Sequence, residues 1–260
     1  MHSALLVQDL SVSLRGRALI EGVSFAIDPG QRMALLGASG SGKSLTAAAL
    51  LGQLPTAMSA SGRLQINGVE VPLSKRRSSR AGITAIHQDP MAALNPLVRL
   101  GKQLEIPLRH AGLPASMARK RALELLTSVG IEQAERTMES FSGELSGGQL
   151  QRVCIALALA CRSTVLVADE ATTALDMVSQ AKVLDALARN FTSAGAMLFI
   201  THDLAVAAAF CHQALVLKSG RIVEKGSMES LVDRPVHHYT QQLVEAAHVG
   251  FDSLPPEATA

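Results

Sequence analysis

The stretch Gly37-Ala38-Ser39-Gly40-Ser41-Gly42-Lys43-Ser44 has the G-x-x-x-x-G-K-[ST] spacing of a phosphate-binding loop. Residues 33–36 before it predict a buried strand, and residues 45–51 after it predict a helix. Glycines let consecutive backbone N–H groups face phosphate oxygens, and the helix N-terminus adds a favourable dipole. We expect Lys43 to reach the β- and γ-phosphates and Ser44 to bind Mg²⁺. The alternative interpretation is a Gly/Ser-rich turn before an ordinary helix. It accounts less well for the Gly-Lys-Ser sequence at residues 42–44 than a phosphate loop does.

Composition limits the fold and the partners. The chain has 260 residues, of which 48% are apolar but only 3% aromatic, and it has no Trp. An aliphatic core of this kind suits buried parallel strands between helices. The net charge of +2 is too small for a nucleic-acid-binding surface, so we expect no nucleic-acid partner. The basic run at residues 75–80 is read as a solvated loop, with a membrane-surface or phosphate contact as the alternative.

Cysteine usage and hydropathy point to an intracellular chain without a spanning segment. Cys154, Cys161 and Cys211 are widely spaced in apolar surroundings, which predicts buried thiols in a reducing compartment. The N-terminus lacks a basic start followed by an apolar run, so we expect no signal peptide. The longest uncharged stretch, residues 44–62, contains proline and glycine and begins in the phosphate loop, so we expect no membrane-spanning helix.

Strand and helix patterns alternate along the rest of the chain. Pro90 precedes residues 91–116 and prolines at 96, 107 and 114 interrupt them, and the middle third therefore reads as a helical insertion. Asn67-Gly68 and Ser219-Gly220 predict hairpin turns. Strands are predicted at 5–7, 10–14, 23–27, 83–86, 165–168 and 196–200, and helices at 118–129, 150–160, 179–191 and 204–210.

Two further motifs add chemistry. The apolar residues 165–168 end in Asp169 and Glu170, and a carboxylate at the carboxyl end of a parallel strand faces the crevice that holds the phosphate loop. Asp169 can bind Mg²⁺, and Glu170 can orient and deprotonate the attacking water. Without a phosphate loop in the chain, an Asp-Glu pair of this kind would be interpreted as the solvated end of a strand. Residues 145–149, Leu-Ser-Gly-Gly-Gln, precede an apolar helix and predict a second anion site at a helix N-terminus.

The motifs and their order along the chain resemble those of the ATP-binding subunit of an ABC transporter. The resemblance covers nearly the whole chain. The order is phosphate loop, Gln88, residues 145–149, residues 169–170, residues 173–176 and His202. The resemblance implies an α/β fold: a P-loop NTPase core with a mixed sheet, an antiparallel β-subdomain and a helical subdomain. It implies an ATP-binding core at 1–89 and 164–235, a helical signature subdomain at 90–163 and a short C-terminal tail at 236–260.

The resemblance also implies roles for single residues. Gln88 resembles the Q-loop glutamine that senses Mg²⁺ and the γ-phosphate, and His202 resembles the switch histidine. Asp176 resembles the D-loop aspartate at a dimer seam. The signature that grips the γ-phosphate of ATP bound by the opposite subunit corresponds to Ser146, Gly147, Gly148 and Gln149. Mg²⁺ ligands are then Ser44, Gln88 and Asp169, and the mechanism is head-to-tail closure of two cassettes over two ATP molecules.

The chain departs from the family pattern at two positions. The family usually has an aromatic residue that stacks on adenine, whereas residues 12–16 contain none. Leu14 could cover the base by apolar contact, or Arg15 could stack on it. Ala171 stands where proline is common, which loosens the loop without removing a chemical group.

The branch of the family is indicated by residues 88–96 and 235–240, which resemble importers of the peptide and nickel branch. The sequence ends 20 residues after Thr240 without a further cysteine, which favours the nickel or metallophore type over the peptide type. The expected partners are a second ATPase subunit (identical or different), two transmembrane permeases and an extracytoplasmic solute-binding protein. The expected location is peripheral, on the cytoplasmic face of the bacterial inner membrane. The alternative is a non-transport ABC ATPase, regulatory or nucleic-acid associated.

Overall fold

A computed structural model describes residues 3–73, 82–173, 175–191 and 195–252, with side chains as far as residue 247. The basic run at 75–80, Ala174 of the D-loop motif and the end of the predicted tail lie outside the described residues. The chain forms two compact units, the first comprising residues 1–78 and 196–260 and the second residues 79–195. No helix in the described ranges is long and apolar enough to cross a membrane.

The first unit contains an antiparallel sheet with the strand order β2-β1-β4-β5. Its hairpin turn at Asn67 and Gly68 has positive φ at both residues, 49° and 76°, which a type I′ turn requires. The predicted hairpin is therefore confirmed. The strands are β1 (Leu5–Leu14), β2 (Arg17–Ile27), β4 (Met58–Ile66) and β5 (Val69–Val71).

The same unit contains mixed-sheet strands in the order β10-β9-β3-β8, in which β3 runs parallel to both neighbours and β9 pairs antiparallel with β10. The strands are β3 (Arg32–Leu36), β8 (Ala196–Ile200), β9 (Gln213–Lys218) and β10 (Arg221–Ser227). All five residues of β8 are buried, as expected of a parallel strand covered on both faces. The helices are α1 (Lys43–Leu51), α7 (Leu204–Phe210), α8 (Met228–Asp233) and α9 (His238–Asp252).

The second unit pairs two parallel strands, β6 (Ile83–Ile86) and β7 (Val165–Asp169), with a set of helices. The helices are α2 (Leu100–His110), α3 (Ala115–Ser128), α4 (Ala134–Glu139), α5 (Gly147–Ala160) and α6 (Met177–Asn190). The predicted helical subdomain at 90–163 lies within this unit, which also includes β6, β7 and α6. The mixed sheet, the antiparallel sheet and the helices agree with the predicted fold class.

Three local features differ from the sequence-based expectation. α2 contains Pro107, yet it buries Leu100, Leu104 and Leu108 at helical spacing, and this packing outweighs the missing N–H. The predicted tail from residue 236 contains a helix, α9.

The third difference concerns the thiols, which were predicted to be buried. Cys154 and Cys211 are buried, and burial raises the pKa of each to about 12. Cys161 is exposed instead, because it follows the last residue of α5.

Candidate nucleotide-binding site

The phosphate loop leaves the carboxyl end of β3 and depends on glycine for its backbone. Gly37 and Gly42 have φ of 151° and 109°, a region that residues with a side chain rarely adopt. A Cβ atom at Gly37 would lie 2.3 Å from the Leu217 carbonyl oxygen, and one at Gly42 would lie 2.4 Å from Ile20 Cδ1. Glycine at 37 is therefore required by packing as well as by conformation, because the obstacle is a backbone oxygen, whereas at 42 the obstacle is a side-chain end and conformation is the main requirement.

Lys43 begins α1 and turns back over the loop. Its side chain is buried, and Nζ donates hydrogen bonds to the carbonyl oxygens of Gly37 at 2.7 Å and Ala38 at 3.1 Å. Ser39, Gly40 and Ser44 are exposed. The loop thus presents an exposed backbone arch and a hydroxyl beside an ammonium group, which is the chemistry that binds a polyphosphate.

His202 follows the strand next to the loop. Leu35 of β3 pairs with Ile200 of β8 in parallel register, so the loops after both strands leave the same edge of the sheet. Asp203 caps α7 by accepting the Val206 N–H, and His202 is exposed between β8 and this cap. The structure thus brings His202 to the sheet edge that carries the phosphate loop.

The two residues expected at adenine lie at the tip of the first hairpin. Leu14 is the last residue of β1, and Arg15 and Gly16 form the turn with φ of 50° and 85°. Leu14 is half-buried and Arg15 is exposed. Both side chains are therefore open to a ligand on the surface of the first unit.

In the second unit, the ends of two parallel strands bring Gln88 and Glu170 together. Ile86 of β6 pairs with Ala168 of β7, so the segments that follow leave the same edge. Gln88 Nε2 donates to Glu170 Oε2 at 3.1 Å. Glu170 has φ of 48°, a strained value for a non-glycine residue that is found at functional sites. Asp169 is the last residue of β7.

Sequence reasoning missed Gln151, which supports both of these segments. It lies on α5, its side chain is only 2% exposed, and Nε2 donates to the Ala171 carbonyl at 2.9 Å and to the His87 carbonyl at 3.4 Å. These carbonyls adjoin Glu170 and Gln88. A glutamine on the apolar face of a predicted helix was the available signal, because a buried amide needs backbone partners.

The signature residues form the N-terminus of α5. Ser146 Oγ accepts the Gln149 N–H at 3.3 Å, and Gln149 Oε1 accepts the Ser146 N–H at 3.0 Å, which is a capping box. Gly147 and Gly148 form the first turn. Because the positive end of the helix dipole lies here, the segment suits an anion.

Asp176 has the same kind of local role on α6. Its Oδ1 accepts the Ser179 N–H at 2.9 Å as an N-cap. This backbone hydrogen bond, with the Ser179 hydroxyl, lowers the pKa of Asp176.

Comparison with known proteins decides the family. The ABC transporter family profile matches residues 20–173, a span that includes the phosphate loop, the signature and the Asp169-Glu170 pair. The chain belongs to the ABC transporter family. Its fold is that of the ABC nucleotide-binding domain, a domain that binds ATP.

Named relatives of this ABC domain are transport ATP-binding proteins. It is 43% identical over 268 residues to the peptidoglycan transport ATP-binding protein YejF of Agrobacterium fabrum, covering 98% of this chain and 48% of that protein. It is 38% identical to the oligopeptide transport ATP-binding protein OppD of Bacillus subtilis, covering 98% of this chain and 74% of that protein. The chain spans about half the length, or less, of the first curated relatives it matches.

Solved structures agree with this ABC fold. The structure of an ATP-binding subunit of an ABC transporter superposes with a TM-score of 0.78 at 25% identity, covering 95% of this chain and all of that one. A dimeric ATP-binding cassette in a post-hydrolysis state, bound to ADP and Pi, gives a TM-score of 0.73 at 27% identity, covering 86% of this chain and 98% of that one.

Proposed function

We propose that this chain is the ATP-hydrolysing subunit of a bacterial ABC importer whose cargo is a peptide. The observation that carries the hydrolytic part is the Gln88–Glu170 hydrogen bond, which orients a carboxylate beside Asp169 in a family member that retains Lys43 and His202. The proposed domain roles are an ATP-binding core at 1–89 and 164–235, a helical signature subdomain at 90–163 and a tail at 236–260.

The donor set fits Mg²⁺-bound ATP. The Ser44 hydroxyl, the Asp169 carboxylate and the Gln88 amide oxygen are the hard oxygen ligands that Mg²⁺ takes in nucleotide sites. When bound, the ion neutralises charge on the β- and γ-phosphates. Lys43 exchanges its bonds to the two loop carbonyls for bonds to phosphate oxygens, and Leu14 or Arg15 covers the base.

Glu170 is the proposed general base. Its carboxylate takes a proton from the attacking water, and the Gln88 amide fixes the direction in which it points. His202 contacts the γ-phosphate and stabilises the charge that develops there. The capped N-terminus of α5, with Ser146, Gly147, Gly148 and Gln149, serves the ATP of a second cassette, and Asp176 lies at the seam of that pair.

The proposed partners follow from this incomplete site and from the relatives. A second cassette, identical or different, would supply the opposite signature, and two permeases and a solute-binding protein would carry the cargo. The chain would then work at the cytoplasmic face of the membrane. The relatives named above are transport proteins, so the non-transport alternative is not favoured.

The cargo is proposed as a peptide, because those relatives are named for oligopeptide and peptidoglycan transport. The nickel prediction rested on where the sequence ends, and these relatives extend well beyond the matched region, so that length does not discriminate. Uptake assays with the partner subunits would compare labelled oligopeptide with nickel. ATP-driven nickel uptake without peptide uptake would refute the peptide proposal.

The ATPase proposal is tested with Glu170→Gln, which keeps the shape of the side chain and removes the base. We expect the ATPase rate to fall about 100-fold or more while binding of Mg²⁺-ATP persists. Glu229→Gln, on the exposed first turn of α8, is the matched control and should hydrolyse ATP at the parental rate. An undiminished rate in Glu170→Gln would remove the general base from the mechanism.

A further inference from the structure

The phosphate loop has a contact that the family motifs do not account for. The Ala38 N–H donates a hydrogen bond of 2.7 Å to the Tyr239 hydroxyl oxygen, across 201 residues of sequence. Tyr239 lies in the first turn of α9, and both residues belong to the first unit. Tyr239 also lies within residues 235–240, the segment that resembles the peptide and nickel branch of the family.

The contact lies on the outer side of the loop. In the peptide group that joins Gly37 and Ala38, the carbonyl oxygen accepts from Lys43 and the N–H donates to Tyr239. The C=O and N–H of a trans peptide group point in opposite directions, and none of the described peptide bonds is cis. Tyr239 therefore binds this peptide group on the side opposite the ammonium of Lys43.

Tyr239 is itself positioned by the neighbouring strands. The Glu224 carboxylate on β10 accepts the backbone N–H groups of Val236 at 2.8 Å and His237 at 2.9 Å. The Tyr239 N–H donates to His237 Nδ1 at 3.1 Å, and Lys218 Nζ on β9 lies 4.8 Å from the centre of the tyrosine ring. The hydroxyl thus links the loop to a segment that is fixed at several points.

We propose that Tyr239 is a positioning residue of the nucleotide site. Its hydroxyl keeps the first peptide group of the phosphate loop in the orientation that lets Lys43 reach phosphate. It therefore sets the affinity for nucleotide and couples residues 235–247 to occupancy of the loop. The inference rests on the proposed function, since it takes ATP as the ligand.

The first test removes only the hydroxyl. Without this hydroxyl, in Tyr239→Phe, the loop must be ordered when nucleotide binds. The Kd for Mg²⁺-ATP measured by calorimetry should therefore rise about three- to tenfold, which corresponds to the net free energy of one hydrogen bond. In steady-state ATP hydrolysis, KM should rise by a similar factor with kcat little changed, because Glu170 and Gln88 are untouched. His238→Ala, on the exposed neighbouring residue, should keep the parental Kd.

The second test uses the composition of the chain. Tyr239 is its one tyrosine and there is no tryptophan, so tyrosine emission comes from this residue alone. Mg²⁺-ADP should change the emission with the same Kd that calorimetry gives. Free N-acetyltyrosinamide in the same solutions corrects for nucleotide absorbance, and Lys43→Ala, which should not bind, should show no change.

Three results would overturn the inference. One is a Tyr239→Phe chain that unfolds at lower temperature but binds ATP with the parental Kd, since the hydroxyl would then be structural only. Another is tighter binding in Tyr239→Phe, since the contact would then oppose the nucleotide-binding form. The third is unchanged emission in a parent chain that binds ADP by calorimetry. Each leaves the proposed ATPase intact, whereas a parent chain that binds no nucleotide refutes both proposals.

Discussion

The phosphate loop and the Gln88–Glu170 pair are both built beyond the carboxyl ends of parallel strands, yet they are stabilised differently. The loop is held at several backbone positions: Gly37 packs against the Leu217 carbonyl, Lys43 bonds two loop carbonyls, and the Ala38 N–H bonds the Tyr239 hydroxyl. The pair is joined by one side-chain hydrogen bond. The phosphate loop is therefore held at several backbone positions, whereas the orientation of the Glu170 carboxylate depends on a side chain from a different strand end.

The largest effect on the phosphate loop is expected at Gly37. In Gly37→Ala the new methyl group meets a backbone oxygen that cannot move cheaply, and φ is strained as well. We expect the free energy of unfolding to fall by about 3 kcal/mol or more. Urea denaturation measures the loss, and calorimetry should show that nucleotide binding is lost with it.

Gly40→Ala is the matched control in the same loop. Gly40 also has positive φ, 77°, but a Cβ there would meet nothing within 4 Å. Only the conformational cost remains, about 1 kcal/mol. Equal losses in the two variants would mean that packing against Leu217 does not fix the loop, and the contrast with the Gln88–Glu170 pair would fail.

Changes near the Gln88–Glu170 pair should affect the rate of ATP hydrolysis rather than the affinity for ATP. Gln151→Leu removes the amide that bonds the carbonyls beside Gln88 and Glu170. We expect kcat for ATP hydrolysis to fall about tenfold or more, because small displacements of a catalytic group are costly. KM for ATP should change little, since the phosphate loop is not touched. Steady-state kinetics separates the two parameters.

Gln103→Leu controls for the loss of a bridging amide. Gln103 Nε2 on α2 donates to the carbonyls of Asn95 and Val98, which is the same kind of contact at a site away from Glu170. Gln103→Leu should lower the free energy of unfolding and keep the parental kcat. If Gln103→Leu and Gln151→Leu lower kcat alike, the effect is general destabilisation of the second unit and Gln151 has no positioning role.

The sequence could predict what is encoded locally. The phosphate loop with its strand and helix, the Asn67-Gly68 hairpin and the buried run of β7 each follow from a short pattern that has one favourable backbone conformation. The nucleotide-binding fold followed from the order of the motifs, and the family profile confirms it. Local chemistry was sufficient for these features.

Features that depend on distant contacts could not be predicted in this way. α2 was obscured by Pro107, since its stability comes from leucines packed against other helices. The position of Gln151 on the apolar face of a predicted helix indicates burial but not its partners, and nothing in the sequence around Tyr239 indicates its contact with the loop. Their partners lie 20 and 201 residues away in sequence. A single side chain that satisfies a remote backbone group has no periodicity, so only the fold reveals it.

The smallest expected effect tests the outer support of the phosphate loop through Glu224. Partial burial opposes ionisation, but hydrogen bonds including the Val236 and His237 N–H groups outweigh it and lower the pKa of Glu224. The folded state therefore binds fewer protons than the unfolded state, in which glutamate has a pKa of about 4.3. Glu224→Gln should lower the free energy of unfolding by less than about 1 kcal/mol at neutral pH, because solvent screens a half-exposed carboxylate.

The difference in free energy of unfolding between Glu224→Gln and the parent chain should shrink as the pH falls below the pKa of the unfolded state. It should vanish below the pKa of the folded state. Urea denaturation from neutral to acid pH measures it, and a difference that grew on acidification would show that the carboxylate destabilises this segment.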